Sequence, residues 1–185
     1  MGEHKQRMLR GELYKDSDPE LVAERQRAQS LCDEFNRTAP DETARREQVL
    51  RELLGKLGEG SWIMPRFQCD YGYLIEIGAN SFLNYDAILL DCAAITIGDD
   101  VSIGPRCQLL TALHPMTDHE ARRQRWESAA PIAIGDNVWF GGGVIVCPGV
   151  TVGANTVVGA GSVVTRDLPD AVFAAGNPAR VIRTL

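Results

Sequence analysis

The chain has 185 residues, of which 44% are hydrophobic and 24% are charged, and its formal net charge is −6. This length fits one domain with a small extension, and the negative charge gives no reason to expect nucleic acid or an anionic membrane as a partner. No apolar run could span a membrane, and the charged stretch from Met1 to Arg7 lacks the apolar core of a signal peptide. Five cysteines without a CxxC pair indicate reduced thiols, so we expect a cytoplasmic protein.

Residues 1–58 predict a small helical segment, because apolar residues recur there at helical spacing among Glu, Arg and Gln. One helix should begin at Ser17-Asp18-Pro19-Glu20, where a capping residue precedes a proline in the first helical position. A second should follow Pro40-Asp41 and end near Gly58. The residues expected on the buried faces are Leu21, Ala28, Leu31 and Phe35 in the first helix, and Val49, Leu50, Leu53, Leu54 and Leu57 in the second. A helical pair of this size should pack on the end of the structure that follows it.

A period of six residues organises most of the remaining chain. The count begins near Ile77, slips by two residues before Ile97, and is regular from Ile134 to Thr165, with a large apolar residue first, a small residue second and a small or β-branched residue fifth. This period is typical of a parallel β-helix, in which three hexapeptides close one triangular coil. A β-sandwich would instead place turn signals roughly every 8 to 12 residues. We therefore predict a mainly β fold, a left-handed parallel β-helix over residues 59–168, with glycines at corners where the chain bends.

The period is absent from two stretches. Between Thr111 and Pro131 the sequence is polar and aperiodic, which predicts a loop, residues 111–131, projecting from the β-helix. Inserted loops of this kind often carry function. Residues 169–185 form a C-terminal tail with two arginines, Arg180 and Arg183, which fit either a solvated tail or a site for phosphate groups.

Two of the three histidines lie in the projecting loop. His114 stands at its root, and an imidazole can exchange a proton near neutral pH, so His114 is a candidate general base as well as a candidate structural residue. His114 and His119 also form a His-x4-His pair, a spacing found in zinc carbonic anhydrases built on a β-helix. A catalytic zinc usually needs three protein ligands, and His4 lies far away in the helical segment. We therefore expect no metal.

Polar residues interrupt the apolar strands of the early coils at Asp70, Asn84, Asp86 and Asp91. Each would be costly to bury unless it were paired or faced a cleft. An asparagine in such a coil can also simply stack in a turn. Trp126 and Trp139 fit packing positions better than ligand platforms.

Taken together, these residues resemble the sugar branch of the hexapeptide acyltransferases, the maltose and galactoside O-acetyltransferases, nearly from end to end. The matching segments are Gly11-Glu-Leu-Tyr14, Cys69-Asp-Tyr-Gly-Tyr73, Leu83-Asn84-Tyr-Asp86, Leu90-Asp91, Thr111-Ala-Leu-His114-Pro115, Ile134-Gly-Asp-Asn-Val-Trp139, Gly159-Ala-Gly-Ser-Val-Val-Thr165 and Gly176-Asn-Pro-Ala-Arg180. The hexapeptides identify only the superfamily, whereas the helical front end and the histidine-proline loop indicate this branch. The second and last segments make the maltose enzymes the closer match.

The resemblance implies transfer of acetyl from acetyl-CoA to a sugar hydroxyl, in a homotrimer whose sites lie between neighbouring β-helices. The family's catalytic histidine falls on His114. Its sugar contacts fall on Asp16, Asp70 and Asn84, with Asp91 beside them. Its coenzyme contacts fall on Gly142, Ala160, Thr165, Arg166, Arg180 and Arg183, with Trp139 beside the pantetheine. The sequence departs from the family pattern at Gly142, which can offer only its backbone, and around Asp91.

The predicted reaction is direct transfer with His114 as general base, an effect worth roughly 10²–10⁴-fold in rate. The acceptor would be a sugar such as maltose or glucose, although the residues do not rank these against galactosides or a polyol. Two alternatives stay open. One is an acetyltransferase for another small acceptor, such as an amino acid or an antibiotic, and the other is a non-catalytic trimeric scaffold.

Overall fold

The computed structural model of the chain describes residues 2–185. Its N-terminal segment contains helices α1 Glu3–Leu9, α2 Pro19–Asn36 and α3 Thr43–Leu53, with the short strand β1 Tyr14–Lys15 between the first two. The Asp18 side chain caps α2 by accepting a hydrogen bond from the Glu20 amide, and Pro19 occupies the first turn. The four residues predicted for the buried face of this helix are all buried. The helix predicted to begin at Ser17-Asp18-Pro19-Glu20 is therefore confirmed as α2.

Helix α3, the second of the two helices predicted from the sequence, is shorter than the sequence pattern predicts. It ends at Leu53, Leu54 is extended, and Leu57 lies in strand β2 Lys56–Leu57, which pairs in parallel with Ile77 and its neighbour. A Cβ at Gly55 would stand 2.4 Å from the Tyr73 carbonyl oxygen, so the chain already touches the first coil there. The prediction of helix from Leu54 to Leu57 is wrong because an apolar residue buried by a β-helix cannot be distinguished by spacing from one buried by a helix.

The rest of the chain is a left-handed parallel β-helix of about 6 turns with three sheets. The first sheet contains β2, β5 Ile75–Ile77, β8 Ile95–Ile97, β13 Ile132–Ile134 and β16 Thr151–Val152. The second contains β3 Trp62–Ile63, β6 Phe82–Leu83, β9 Ser102–Ile103, β14 Trp139–Phe140, β17 Val157–Val158, β19 Val172–Gly176 and β20 Ala179–Thr184. The third contains β4 Phe67–Cys69, β7 Ala87–Leu90, β10 Gln108–Leu110, β15 Ile145–Val146 and β18 Val163–Val164. The first sheet thus begins inside residues 1–58, and the second sheet continues into residues 169–185.

The core is a column of first-position side chains. Ile77, Ile97, Ile134 and Val152 are register partners in successive coils of the first sheet, and all four are buried. The fifth-position residues Val138, Val144, Val150, Thr156 and Ser162 are buried as well. The prediction that the hexapeptides form stacked coils is therefore confirmed.

Glycine at the second position has a different cause from the one predicted. A Cβ at Gly141 would lie 2.6 Å from the Ala160 backbone nitrogen, so glycine is needed because adjacent coils approach closely. The left-handed backbone that makes the bend falls two positions later, at Gly143 with φ 72° and at the equivalent Asn137 and Asn155. Asparagine tolerates this conformation better than most residues do.

The excursion at 111–131 has regular structure. It comprises β11 Ala112–Leu113, helix α4 His119–Arg123 and β12 Trp126–Ala129. β12 pairs antiparallel with both β11 and β1, which places Glu127 opposite Tyr14. The excursion is therefore tied to the N-terminal segment by a three-stranded sheet. None of the helices in residues 2–185 is long and apolar enough to cross a membrane.

Candidate active site

Eight of the twelve site residues predicted from the sequence lie at two corners of the β-helix, and Asp16, Trp139, Arg180 and Arg183 lie elsewhere. The turn from the second to the third sheet, here the Asn84 corner, carries Asn84, Gly142 and Ala160 in stacked coils. The turn from the third to the first sheet, here the His114 corner, carries Asp70, Asp91, His114, Thr165 and Arg166. The 4 residues of β7 separate the two corners, a distance of roughly 13 Å at the rise of a strand. One chain therefore does not bring the two groups into contact.

His114 lies directly after β11 with its side chain 58% exposed, and its Nδ1 is 4.0 Å from Oε1 of Glu127 on β12. The other Glu127 oxygen accepts a hydrogen bond of 3.2 Å from the hydroxyl of the fully buried Tyr14. Burial raises the pKa of Glu127, as does the nearby charge of Asp16, whereas His114 opposes that rise. The geometry thus gives the imidazole a fixed carboxylate partner.

Glu127 was not found from the sequence. It lies in the aperiodic stretch among several charged residues, and its pairing partner Tyr14 precedes it by 113 positions. The only sequence signal was the Gly11-Glu-Leu-Tyr14 segment, whose significance depends on the strand pairing that the structure reveals.

Arg25 on α2 is a second residue that the sequence did not indicate. Its guanidinium donates to the Tyr71 hydroxyl at 3.2 Å and to the Asp16 carbonyl at 3.3 Å, and it lies 3.6 Å from the Asp16 carboxylate. Its charge also lowers the pKa values of Asp70 and Glu127, opposing the effect of burial on both. Arg25 therefore joins the N-terminal segment to the polar residues of the His114 corner.

Asp70 and Asp91 occupy this corner at different depths. Asp70 is partly buried, and its Oδ2 accepts a hydrogen bond of 3.4 Å from the Cys92 thiol. Asp91 has no exposed surface, and its Oδ1 accepts from the amides of Asp70 and Tyr71 at 3.0 and 2.9 Å. Within residues 2–185 its Oδ2 has no hydrogen-bond partner, and burial raises the pKa of Asp91 to about 7. Asp91 therefore fixes the turn that carries Asp70 and lies behind it.

The Asn84 corner offers backbone groups and one amide. Asn84 Oδ1 accepts from the Tyr85 amide at 2.8 Å, and no residue of the described chain accepts a hydrogen bond from its Nδ2. Two coils further along, the Gly142 carbonyl accepts from the Gly161 amide at 2.9 Å, and Ala160 is exposed beside it. Small residues here leave the backbone open to a ligand lying along the corner.

Cations and an aromatic ring border this corner. Arg180 and Arg183 lie on β20 opposite Ala175 and Phe173. In the part of the chain that the structure describes, no carboxylate forms an ion pair with Arg166, Arg180 or Arg183. Trp139 projects from β14 with 58% of its surface exposed. Arg180, Arg183 and Trp139 provide positive charge and an apolar surface on the second sheet, whereas Arg166 follows β18 at the His114 corner.

The histidine pair of the loop does not form a metal centre within residues 2–185. His119 is the exposed first residue of α4. No group of three or more His, Cys, Asp or Glu side chains among the described residues is arranged to hold a metal ion.

Comparison with known proteins agrees with this architecture. Residues 7–58 match the family model of the maltose acetyltransferase hexapeptide capping motif, and residues 131–166 match the bacterial transferase hexapeptide model with six repeats. The galactoside O-acetyltransferase of Escherichia coli K12 is 41% identical over 180 residues, which cover 97% of this chain and 88% of that protein.

Solved structures extend the match to the whole chain. A maltose O-acetyltransferase from Clostridium difficile 630 superposes with a TM-score of 0.97 at 47% identity, covering 98% of this chain and 97% of the other. A hexapeptide-repeat acetyltransferase from Vibrio cholerae O1 biovar eltor, complexed with acetyl coenzyme A, superposes with a TM-score of 0.91 at 42% identity, covering 100% and 99%. The chain therefore belongs to the hexapeptide-repeat acetyltransferases that carry the maltose acetyltransferase capping motif.

Proposed function

We propose that this acetyltransferase transfers acetyl directly from acetyl-CoA to a hydroxyl of a sugar such as maltose or glucose, with His114 as general base. The observation that carries the proposal is the position of His114. Its imidazole is exposed at the edge of a polar site, and one ring nitrogen faces the carboxylate of Glu127 at 4.0 Å. That separation allows an ion pair and can shorten to a hydrogen bond when substrates bind.

The contact between His114 and Glu127 determines which ring nitrogen of His114 would act as the base. Because Nδ1 faces Glu127, Nε2 is left to accept the proton of a sugar hydroxyl. The hydroxyl oxygen then attacks the thioester carbonyl, the carbon–sulfur bond breaks, and the imidazolium returns the proton to the leaving thiolate. Glu127 stabilises the imidazolium in between, the role of an orienting carboxylate in related triads.

The acceptor would bind against the charged groups of the His114 corner. Asp16 and Asp70 present carboxylate oxygens that accept from sugar hydroxyls, and Arg25 holds Asp16 in place. Asn84 of the facing corner would donate from its free Nδ2. Asp91 is enclosed, so we assign it the positioning of Asp70 in place of the direct sugar contact that the resemblance implies.

Acetyl-CoA would lie along the Asn84 corner and the second sheet, and it would also contact Thr165 and Arg166 in the last coil of the His114 corner. Gly142, Ala160 and Thr165 offer backbone groups and little bulk, and Trp139 offers an apolar surface for the pantetheine. Arg166, Arg180 and Arg183 would bind the phosphates, because unpaired guanidinium groups suit phosphate oxygens.

Direct transfer is supported by the state of Cys92, a thiol at the His114 corner. Cys92 lies beside Asp70, and burial together with that carboxylate raises its pKa. A protonated, enclosed thiol is a poor nucleophile. We therefore expect no acetylated enzyme, and a stable acetyl adduct detected by mass spectrometry during turnover would contradict this step.

The site would be completed in a homotrimer. His114 and Asp70 lie on one corner and Asn84 and Gly142 on the other, roughly 13 Å apart at the rise of a strand. A reacting hydroxyl cannot contact both across that distance within one chain. A cyclic arrangement places the His114 corner of each copy against the Asn84 corner of the next.

The test is a screen of acceptors in which the rate of acetyl transfer is measured as release of the free thiol of CoA from acetyl-CoA. Glucose, maltose, galactosides, a polyol and amino acids are compared for kcat/KM. The variant His114→Ala should lower kcat by about 10²–10⁴-fold, whereas the control His119→Ala, five positions along the same loop, should not. Near-normal turnover by His114→Ala would remove His114 from the mechanism, and preference for an amine over every sugar would overturn the acceptor class.

A further inference from the structure

A pair of cysteines lies between the N-terminal segment and the β-helix. Cys32 is on α2, Cys69 is the last residue of β4, and their sulfur atoms are 3.6 Å apart. A disulfide bond is about 2.05 Å long, so the sulfurs need to approach by roughly 1.5 Å, through side-chain rotation together with a small shift of the backbone that carries them. The two thiols are in contact before any bond forms.

A small oxidant can reach this pair. Cys32 and Cys69 are only 5% and 7% exposed, but both line a cavity of about 400 Å³ between α2 and the third sheet. The other residues of the cavity are Gln29, Asp33, Asn36, Gln68, Asp70 and Leu90. These are mostly polar and admit water and small polar molecules.

The two thiols are electrostatically unequal. The hydrogen bond between them lowers the pKa of Cys32 and raises that of Cys69, and burial raises the pKa of Cys69 further. Cys32 is therefore the thiol that ionises and reacts first.

We propose that Cys32 and Cys69 form a redox-sensitive dithiol whose oxidation by a peroxide weakens binding of the acceptor. The Cys32 thiolate attacks one peroxide oxygen, the O–O bond breaks as a sulfenic acid forms, and the departing hydroxide takes up the proton that the Cys32 thiol released and leaves as water. The Cys69 sulfur then displaces the sulfenic oxygen as a second water. Two thiols lose two electrons, and one hydrogen peroxide becomes two waters.

The disulfide would act on the acceptor site through Asp70, so the proposal rests on the proposed function. Cys69 immediately precedes Asp70, and Cys32 lies two turns after Arg25 on the same face of α2. α2 is already fixed to β4 at the far side, where Asn36 exchanges two hydrogen bonds of 2.9 Å with the Phe67 backbone. Drawing the sulfurs together must therefore move the Asp70 turn. The coenzyme residues of β20 and the Asn84 corner lie elsewhere.

The experiment compares the reduced full-length protein with the same protein after hydrogen peroxide treatment. Non-reducing peptide mapping by mass spectrometry should show a peptide linking Cys32 to Cys69, which dithiothreitol cleaves. The acceptor KM should rise about three- to tenfold, the effect of weakening one hydrogen bond, while the acetyl-CoA KM stays constant. Cys147→Ser, which alters a cysteine outside the pair, should respond like the wild type. Cys32→Ser should not respond.

A readout without turnover separates this proposal from the proposed function. Hydrogen–deuterium exchange at the Asp70 and Tyr71 amides, which donate to Asp91, should change on oxidation in the wild type and not in Cys32→Ser. If those changes in exchange occur but the protein acetylates no sugar, the proposal of a redox-sensitive dithiol is supported and the proposed function is refuted. Absence of the linked peptide, a link through Cys92, or an equal rise of acceptor KM in Cys32→Ser would overturn the dithiol.

Discussion

The partner of His114 is a single carboxylate held by a buried tyrosine. If Glu127 stabilises the imidazolium through charge, as we propose, Glu127→Gln keeps the shape of the side chain and removes the effect. We expect kcat to fall by roughly 10- to 10³-fold with little change in the acetyl-CoA KM, less than the loss of about 10⁴-fold for a triad carboxylate that is hydrogen-bonded to its histidine, because Glu127 lies 4.0 Å from Nδ1. Steady-state kinetics across a pH range measures both quantities.

A matched control lies in the same excursion. Glu120 on α4 is exposed and pairs with Arg123, so Glu120→Gln should leave kcat unchanged. If Glu120→Gln and Glu127→Gln lowered kcat equally, the effect would belong to the loop as a whole.

Asp91 predicts a pH dependence of stability. Burial raises its pKa from 3.8 to about 7, so the folded chain binds its proton more tightly than the unfolded chain does. The stabilisation of the folded chain by proton binding at Asp91 is fully present below about pH 4 and is lost as the pH rises through about 7. The upper limit of the loss in the free energy of unfolding is about 4 kcal/mol.

The variant Asp91→Asn removes the titration and keeps an oxygen that accepts from Asp70 and Tyr71. Its free energy of unfolding should therefore change less than that of the wild type between about pH 5 and pH 8, as measured by urea denaturation at fixed protein concentration. Asp99→Asn is the control, since exposed Asp99 also accepts from a backbone amide, that of Ala79. An unchanged pH profile for Asp91→Asn would show that Asp91 is not the titrating group.

At the level of elements, β20 places two arginines on the second sheet without carboxylate partners in the described chain. If they bind the phosphates of acetyl-CoA, Arg180→Ala and Arg183→Ala should each raise the acetyl-CoA KM about tenfold, the scale of one charge-assisted hydrogen bond. The sugar KM should stay nearly constant. Initial rates with each substrate varied in turn test this, with Arg123→Ala on α4 as a control for loss of positive charge. A larger rise in sugar KM would refute the assignment.

The elements also show which parts of the fold the sequence could predict. The hexapeptide count located the coils because each one repeats the same buried first position, as at Ile134 and Val152. The hexapeptide count could not locate the C-terminal end of α3, because Leu57 fits both the spacing of a helix and the spacing of a coil. Nor could it reveal β12, because the antiparallel pairing of Glu127 with Tyr14 follows no local period. The residues of the proposed site were therefore reached through motifs, whereas Glu127 and Arg25 became visible only through contacts.

For the whole molecule, the separation of the two corners predicts complementation between inactive variants. His114→Ala lacks the proposed base, and Asn84→Ala lacks the amide on the opposite corner. If the chain forms trimers in which each site joins two copies, mixed trimers of these variants contain some sites with both residues intact, and random mixing restores about a quarter of the sites. Co-refolding the two variants and measuring thiol release tests this, with each variant refolded alone as the control. No gain of activity in verified mixed trimers would place the whole site within one chain.

The three-stranded sheet of β1, β12 and β11 has a consequence for the order in which the molecule forms. Tyr14 meets Glu127 only when residues 113 positions apart come together, and contacts so distant along the chain form late because loop closure is costly. The coils, by contrast, add one upon the next through neighbours close in sequence. The scaffold can therefore be complete while the excursion that carries His114 is still unattached. We therefore expect activity that depends on His114 to be acquired last in folding and lost first under mild denaturation, before the β-helix itself is disturbed.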